Sequence, residues 1–298
     1  MASAAATELA YANLRPKVGI GTRLWTLALR KPVGTISALL CVGLVLVAIF
    51  APLIAPHPPD ALGFPRLKPP SATHVFGTDN LFRDVFSRII VGTRISIGVG
   101  FAAVFFATLI GASLGILAGY LGGWVDLVIS RFLDIVIGIP PLIFAIFMLT
   151  VFERTFLLIS VVIAIVFMPT TARIVRSAVL GIRNLQYIEA AVSIGSSAPR
   201  VMVRHVLPNV VAPIIVIASI QIGNAILTEA ALSFLGLGIA TDALPSWGKM
   251  LQDSRPVWQS AWWMSVIPGG AISIAVLSFN LFGDALRDIL DPRLRGAT

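Results

Sequence analysis

The chain has 298 residues, of which 57% are hydrophobic and 12% are charged, and its formal net charge is +8. Soluble domains carry about 25% charged residues, so this composition excludes an ordinary soluble protein and indicates a polytopic membrane protein. The basic residues lie between long apolar runs, a distribution that sets membrane topology and does not indicate nucleic-acid binding. The one cysteine, Cys41, lies within an apolar run, which excludes a disulfide framework and a cysteine-based metal site.

Six apolar runs are long enough to cross a bilayer, for which a helix needs roughly 20 residues. They follow a polar, basic leader over residues 1–31, whose first 22 residues lack the apolar core of a cleavable signal peptide. Pro32 suits the first turn of the first helix, and the adjacent Pro140 and Pro141 predict a kink in the third run. The predicted transmembrane domain, residues 32–293, has spans at 33–55, 95–120, 135–152, 155–173, 208–235 and 262–284, and a tail of residues 294–298 follows it.

Between the first two spans, the outer segment 56–94 ends in a helical pattern of apolar residues. Asp79 is the predicted N-cap of this short helix. The opposite face carries the charged pairs Asp79–Arg83 and Asp84–Arg88, each four residues apart. A packing helix that closes the outer face is favoured over a ligand site.

The second span carries glycines four residues apart at Gly111, Gly115 and Gly119. This spacing allows helix backbones to approach closely within lipid. It predicts tight packing against a neighbouring helix, in this chain or in another subunit. Residues 111–115 also match the G-x-S-x-G pattern of serine hydrolases, but that motif requires a strand-to-helix turn and a catalytic triad. Helix packing is therefore the favoured interpretation.

Six spans place both termini on the same side of the membrane. The termini and the two loops on their side, residues 119–134 and 173–208, hold 14 of the 22 lysines and arginines. Cytoplasmic segments carry an excess of these residues. The sequence therefore predicts that both termini and the central loop are cytoplasmic.

The central loop, about residues 177–207, is a polar and basic island in an apolar chain. Residues 187–194 are predicted to form a short helix that ends at Gly195, a favourable residue beyond a helix C-terminus. Ser197 is the predicted N-cap of a second short helix that runs to about His205, and Pro208 marks the start of the fifth span. Such an elbow can dock into a groove of a partner protein or pack against its own helix bundle, and the residues leave both readings open.

The sequence lacks the motifs of an internal energy source. It contains no G-x-x-x-x-G-K-[ST] phosphate-binding loop and no H-E-x-x-H zinc motif. Mid-span positions are nearly free of the ionisable residues that secondary transporters usually carry. These absences favour a transporter that a separate protein energises, although a secondary carrier or channel that acts without an ATPase remains an alternative.

Four polar residues in the last two spans are candidates for a translocation pathway or a gate. Gln221, Asn224 and Asn280 are amides within the fifth and sixth spans, and polar residues in a span usually face protein or a cavity. Glu229 lies near the outer end of the fifth span and is interpreted as an outer-gate residue or a packing residue. Packing inside the bundle is the alternative for all four.

Several short sequence motifs of the chain resemble those of one transporter family. Glu189-Ala190-Ala191, Gly195 and Leu207-Pro208 resemble the EAA loop of bacterial ABC importer permeases. More narrowly, the chain is similar to the C-type subunits of the dipeptide/oligopeptide/nickel permease family over residues 32–293. Phe82 stands where the family commonly has glycine, and Asn184-Leu185-Gln186 is less charged than usual. The further matching motifs are Phe76-Gly77-Thr78-Asp79, Arg83-Asp84-Val85-Phe86-Ser87-Arg88, Arg204-His205-Val206-Leu207-Pro208-Asn209, residues 229–238, Pro245-Ser246-Trp247-Gly248 and residues 279–293.

The resemblance implies an all-α membrane protein with the type I ABC importer permease fold, six transmembrane helices and a cytoplasmic EAA coupling loop. It implies a transmembrane subunit that forms half of a pathway for di- or oligopeptides, with nickel, opines or oligosaccharides as alternative substrates. The same resemblance assigns coupling to the ATPase to Glu189, Ala190, Ala191, Ser193, Gly195, Ser196, Arg204 and Pro208.

The resemblance also implies the partners. They are a homologous B-type permease, one or two cytoplasmic ABC ATPase subunits, an extracytoplasmic solute-binding protein and the lipid bilayer of the bacterial plasma (inner) membrane. ATP and Mg²⁺ would bind to the ATPase subunits. This chain is expected to hold no cofactor and no metal, to have no catalytic residues and not to be an enzyme.

Overall fold

A computed structural model of the protein describes residues 32–241 and 244–290, so the predicted leader and tail lie outside the described residues. The described part is helical and contains no strand beyond one isolated bridge between Thr78 and Asp84. Its helices are α1 (Pro32–Ile54), α2 (Val85–Leu121), α3 (Gly123–Gly138), α4 (Pro141–Val151), α5 (Phe156–Ile182), α6 (Gln186–Ser193), α7 (Ala198–Val201), α8 (Leu207–Leu232), α9 (Trp247–Ser254) and α10 (Trp263–Leu290).

Five helical stretches in the described residues are long and apolar enough to span a membrane. They are α1, α2, α5, α10 and a stretch of residues 198–237 that contains α7 and α8. The sixth is present if α3 and α4 count as one broken span, because the two helices meet at an angle of 82°. The third predicted span, residues 135–152, is therefore not one straight helix. Pro140 and Pro141 have no N–H groups to continue the helix, which explains the break.

Helix α2 is longer than the sequence suggested, because the short outer helix and the second span form one helix of 37 residues. Its N-cap is Asp84 and not Asp79, since the Asp84 carboxylate accepts a hydrogen bond from the backbone N–H of Ser87 at 2.9 Å. The Asp79 carboxylate accepts from the backbone N–H groups of Leu81 and Arg83 in the preceding turn, both at 2.8 Å.

The outer segment packs onto the bundle through a buried cluster of charges. The Asp79 carboxylate lies 2.7 Å from Arg83 Nε and 3.7 Å from Arg88 Nε. The same two arginines approach the Asp253 carboxylate of α9 at 3.4 and 3.9 Å. Buried charges need such mutual pairing, because each loses its hydration on folding. This cluster joins the turn before α2 to α9, which agrees with the predicted packing role of the segment.

The glycines of α2 pack against α5 of the same chain. A Cβ atom on Gly115 would lie 2.5 Å from the Ala172 carbonyl oxygen, and one on Gly111 would lie 2.7 Å from the Met168 carbonyl oxygen. Because these contacts are to backbone atoms, the two helices could not accommodate a side chain by a change of rotamer. The neighbour of the glycine stripe is thus α5 and not a helix of another subunit.

This contact predicts opposite effects for two glycine-to-alanine changes. Gly115→Ala forces α2 away from α5 and is expected to destabilise the protein by about 1–3 kcal/mol, as overpacking typically does. Gly181→Ala, the control in α5, has open space around its Cβ position and is expected to stabilise the helix by roughly 0.5–1 kcal/mol. Thermal unfolding of the two purified variants in detergent measures both changes. Equal melting temperatures would contradict the close contact.

A second prediction concerns Phe82, the residue that replaces the family's glycine. Its φ of 62° lies in the left-handed region, which costs an L-residue roughly 1–2 kcal/mol. Phe82→Gly is therefore expected to raise the melting temperature. Phe82→Ala is the control, because alanine loses the same ring but keeps the unfavourable φ, so it should bring no such gain. A melting temperature for Phe82→Gly at or below that of Phe82→Ala would refute the strain.

Candidate functional site

The central loop begins with α6, which ends in a Schellman motif. The Ser196 N–H donates to the Ala191 carbonyl at 3.1 Å, and the Gly195 N–H donates to the Val192 carbonyl at 2.9 Å. Gly195 has a φ of 81°, and a Cβ atom there would meet nothing within 4 Å. Its backbone conformation, and not a lack of space, is the reason for a glycine. The predicted helix stop is confirmed.

Helix α6 has one face on the bundle and one face free of it. Ile188 and Ala191 are buried in a cluster with Val175, Val179 and Val201. The other face is exposed, and Ile194, just beyond the helix, keeps 83% of its surface accessible. Packing against the bundle is therefore confirmed for the inner face, and docking onto a partner stays a prediction for the outer face. The exposed residues of this stretch are Glu189, Ala190, Val192, Ser193, Ile194 and Gly195, and Ser196 is half-buried.

Beyond Gly195 the chain runs into the fifth span without a break. The Ser197 side chain makes no capping hydrogen bond, and α7 passes through a π-helical turn at Met202–Val206 directly into α8. Pro208, with no N–H, follows this turn, and a wider turn is a usual way to accommodate a lost helical bond. The predicted second short helix therefore does not end at His205. Both Arg204 and Pro208 are exposed.

Ion pairs hold α3 against the C-terminal half of α5. The Arg176 guanidinium donates to both oxygens of Asp126, at 2.5 and 2.6 Å, and Arg173 lies 2.6 Å from Asp134. These pairs join residues that are 50 and 39 positions apart, so no local pattern predicts them. Arg131 lies 3.8 Å from Asp134 within α3 itself. Partly exposed ion pairs contribute little stability, and their main effect here is on the position of α3.

An open groove of about 640 Å³ lies beside α6, between the ends of α2 and α5. It brings the Glu189 carboxylate into the same concave surface as the Arg183 guanidinium, which donates to the Gly119 carbonyl at 3.3 Å. A groove with exposed polar groups and an adjacent exposed helix face can receive a complementary element of another protein. Its lining residues are Tyr120, Leu121, Arg183, Asn184, Ile188, Glu189, Val192 and Ser193.

Two of the four pathway candidates are packing residues inside the bundle. The Gln221 Oε1 atom accepts from the Thr171 hydroxyl at 3.1 Å, and its Nε2 donates to the Phe167 carbonyl at 3.4 Å. Glu229 is 1% exposed, and its Oε1 accepts from the Ser233 hydroxyl at 2.7 Å. Neither side chain reaches a surface from which it could contact a passing substrate.

The other two candidates differ from these. Asn224 is exposed on α8, and a polar side chain in a span faces protein or water in the assembled state. Asn280 lies on α10 against Gly223, and its buried Oδ1 has no hydrogen-bond partner among the described residues. Asn224 thus retains the exposure that a pathway residue requires, whereas Asn280 lies at a helix–helix contact.

The G-x-S-x-G pattern contributes no catalytic group. Ser113 lies within the continuous helix α2, and its hydroxyl donates to the Leu109 carbonyl at 2.7 Å. In the part of the chain that the structure describes, no group of three or more histidine, cysteine, aspartate or glutamate residues could hold a metal ion. The candidate site that the structure presents is therefore the exposed face of α6 with its adjacent groove, together with an exposed span face.

The comparisons with known proteins agree with this architecture. Residues 111–296 match the family described as the binding-protein-dependent transport system inner membrane component, and residues 22–70 match the N-terminal transmembrane domain of oligopeptide transport permease C. The chain is 43% identical over 267 residues to the dipeptide transport system permease protein DppC of Alkalihalophilus pseudofirmus, a match that covers 89% of this chain and 88% of that protein.

Two further relatives are 40% identical. They are the probable D,D-dipeptide transport system permease protein DdpC of Escherichia coli, with 93% of both chains covered, and the glutathione transport system permease protein GsiD of Pectobacterium atrosepticum, with 91% of this chain and 90% of that protein covered. A solved structure of the MetNI methionine ABC transporter in an inward-facing conformation is similar in fold, with a TM-score of 0.57 and 18% identity over 69% of this chain and 97% of that chain.

The environment of Glu229 predicts how its variants behave. Glu229→Ala leaves a cavity and removes the acceptor of the Ser233 hydroxyl, so it is expected to destabilise the protein by about 2–4 kcal/mol. Glu229→Gln keeps the volume and an acceptor oxygen and should unfold within a few degrees of the parent protein. Thermal unfolding in detergent distinguishes the two variants. A large loss in Glu229→Gln would show that the charge itself is required.

Proposed function

The chain belongs to the family of binding-protein-dependent transport system inner membrane components and is a C-type permease subunit of an ABC importer, and we propose that it forms half of a translocation pathway for di- and oligopeptides delivered by a solute-binding protein. The identity of 43% over most of the chain to a dipeptide permease is the observation that carries the substrate class. The alternative substrates for the same architecture are nickel, an opine or an oligosaccharide.

In this proposal the exposed face of the central loop docks onto a cytoplasmic ABC ATPase. Glu189, Ala190 and Ser193 lie on the outward face of α6, and the apolar Ile194 protrudes beside them. Ala191 acts from the inner face, where it fixes the helix on the bundle. Gly195 and Ser196 form the turn, and Arg204 and Pro208 lie where the loop joins α8.

The helical connection from the loop into the membrane supports a coupling role. Because α7, the π-helical turn and α8 are continuous, a displacement that passes the turn at Gly195 reaches the fifth span through one helical connection. Alternating access requires two states of similar free energy that a ligand can bias. ATP binding to the partner subunits would supply that bias, and this chain would transmit it without a catalytic step of its own.

The proposed assembly contains a homologous B-type permease and one or two ATPase subunits that hold ATP and Mg²⁺. An extracytoplasmic solute-binding protein delivers the substrate. The chain lies in the bacterial inner membrane with both termini cytoplasmic, as the excess of lysine and arginine on their side supports. A secondary carrier without an ATPase is the alternative of a different class.

Reconstitution with the co-expressed partner subunits tests both the substrate and the coupling surface. The parent complex is expected to take up a labelled dipeptide only with ATP and the binding protein, and excess Ni²⁺ should not compete. Ile194→Glu places a charge at the proposed contact, where burial of an unpaired charge is unfavourable. It should lower dipeptide-stimulated ATP hydrolysis by about tenfold or more, a loss of at least ~1.4 kcal/mol.

Leu62→Glu is the matched control, because Leu62 is equally apolar and 72% exposed but lies in the segment between α1 and α2, on the opposite side of the membrane. It should leave the association of the ATPase unchanged. Normal ATP hydrolysis in Ile194→Glu would remove the coupling assignment. Uptake by the chain alone, without an ATPase, would instead favour the carrier.

A further inference from the structure

The break between α3 and α4 leaves backbone acceptors unpaired. Pro140 and Pro141 carry no N–H, so the carbonyls of Val136 and Ile137 lose the donors four residues ahead of them. The Val136 carbonyl accepts instead from the Ile139 N–H at 3.4 Å. Among the described residues no backbone N–H outside the helices donates to the carbonyl of Ile137 or of Gly138, and the 82° angle moves the donors of α4 away from them.

The break lies near the middle of the membrane. On its outer side, Ala145 of α4 shares a cluster with Ile163 of α5, and on its inner side Leu133 of α3 packs with Met168. The break is therefore level with residues 163–168 of α5. At 1.5 Å per residue these lie roughly 10–18 Å from the start of that helix, which is near the centre of a hydrocarbon core about 30 Å thick.

Two polar side chains near this depth, those of Gln221 and Thr171, are paired within the chain. The Gln221 amide and the Thr171 hydroxyl bond to each other, and Gln221 also bonds to the Phe167 carbonyl. The break differs, because its residues face outward. Ile137 and Ile139 are 44% and 43% exposed, and a Cβ atom on Gly138 would meet nothing within 4 Å.

Lipid cannot cover such a break, since an unsatisfied backbone group in hydrocarbon costs several kcal/mol and irregular backbone at this depth occurs only beside protein or a water-filled cavity. The backbone of a regular helix in a second permease subunit would not satisfy it, because the N–H groups of that helix are already bonded, so a protein neighbour would need side-chain donors. Water and a solute rich in N–H groups do satisfy it.

We propose that the break at residues 137–141 lines the aqueous translocation pathway and that its free carbonyls accept hydrogen bonds from the ammonium and amide N–H groups of the passing peptide. This inference rests on the proposed function and assigns its substrate contact to the broken span. Discontinuous helices with free termini near the bilayer midplane form substrate sites in other transporters. Such contacts recognise the backbone of a peptide and do not depend on its side chains.

Cysteine accessibility in the reconstituted complex tests the inference. Cys41, the one native cysteine, is first replaced by alanine. Gly138→Cys and, as a second position, Ile139→Cys are then treated with a membrane-impermeant quaternary-ammonium methanethiosulfonate. Val42→Cys is the control, because Val42 lies mid-span on α1, is 56% exposed and should face lipid. Reaction at the break is expected to be at least about tenfold faster than at Val42, since the nucleophile that attacks the reagent is the thiolate, which forms in water and not in lipid.

A saturating dipeptide with the binding protein should slow the reaction at the break severalfold, and it should leave any reaction at Val42 unchanged. Reaction at the break as slow as at Val42, in a complex that transports the dipeptide, would overturn the aqueous position. Fast reaction that the dipeptide does not slow would overturn the substrate contact. Failure of the proposed function appears separately, as a cysteine-free parent complex that takes up no dipeptide.

Discussion

The close approach of α2 and α5 is the contact on which the rest of the fold depends. Three glycines of α2 lie against backbone atoms of α5, from Met168 to Arg176, so the two long helices pack over most of their shared length. In a bilayer, where lipid is as apolar as the side chains, this kind of dense packing holds helices together. Every other functional element is attached to one end or one side of this pair.

The two ends of the pair carry the two surfaces of the protein. At the outer end, the backbone of α2 holds α9, since Trp247 donates its indole N–H to the Ile89 carbonyl at 3.2 Å, and the Asp79–Arg83–Arg88–Asp253 cluster holds the segment before α2. At the other end, Val175 and Val179 of α5 pack against α6. The densely packed pair therefore connects the central loop at one end to the segment before α2 at the other.

Helices α3 and α4, which form the broken span, are held to this pair less firmly than α6 and α9 are. Helix α3 is held to α5 by partly exposed ion pairs, and α4 packs mainly through Ala145 and Leu149. Contacts that are few and partly solvated allow movement at a low free-energy difference. The broken span therefore combines free backbone acceptors with loose attachment, whereas the buried Gln221 and Glu229 stabilise the frame around it.

The sequence by itself determined the features that arise within one stretch of chain. It predicted the apolar spans, the helix stop at Gly195 and a kink at Pro140, because hydrophobic length, a positive φ and a missing N–H act locally. Only the tertiary structure decided the partner of the glycine stripe, the 82° angle of the kink, the inward face of Ala191 and the pairing of Gln221 with Thr171. Those outcomes depend on which helices meet, and they join residues up to 61 positions apart. The left-handed Phe82 also runs against local preference, which favours glycine there, and its carbonyl accepts from the Phe64 N–H at 3.3 Å, a contact that the sequence does not predict.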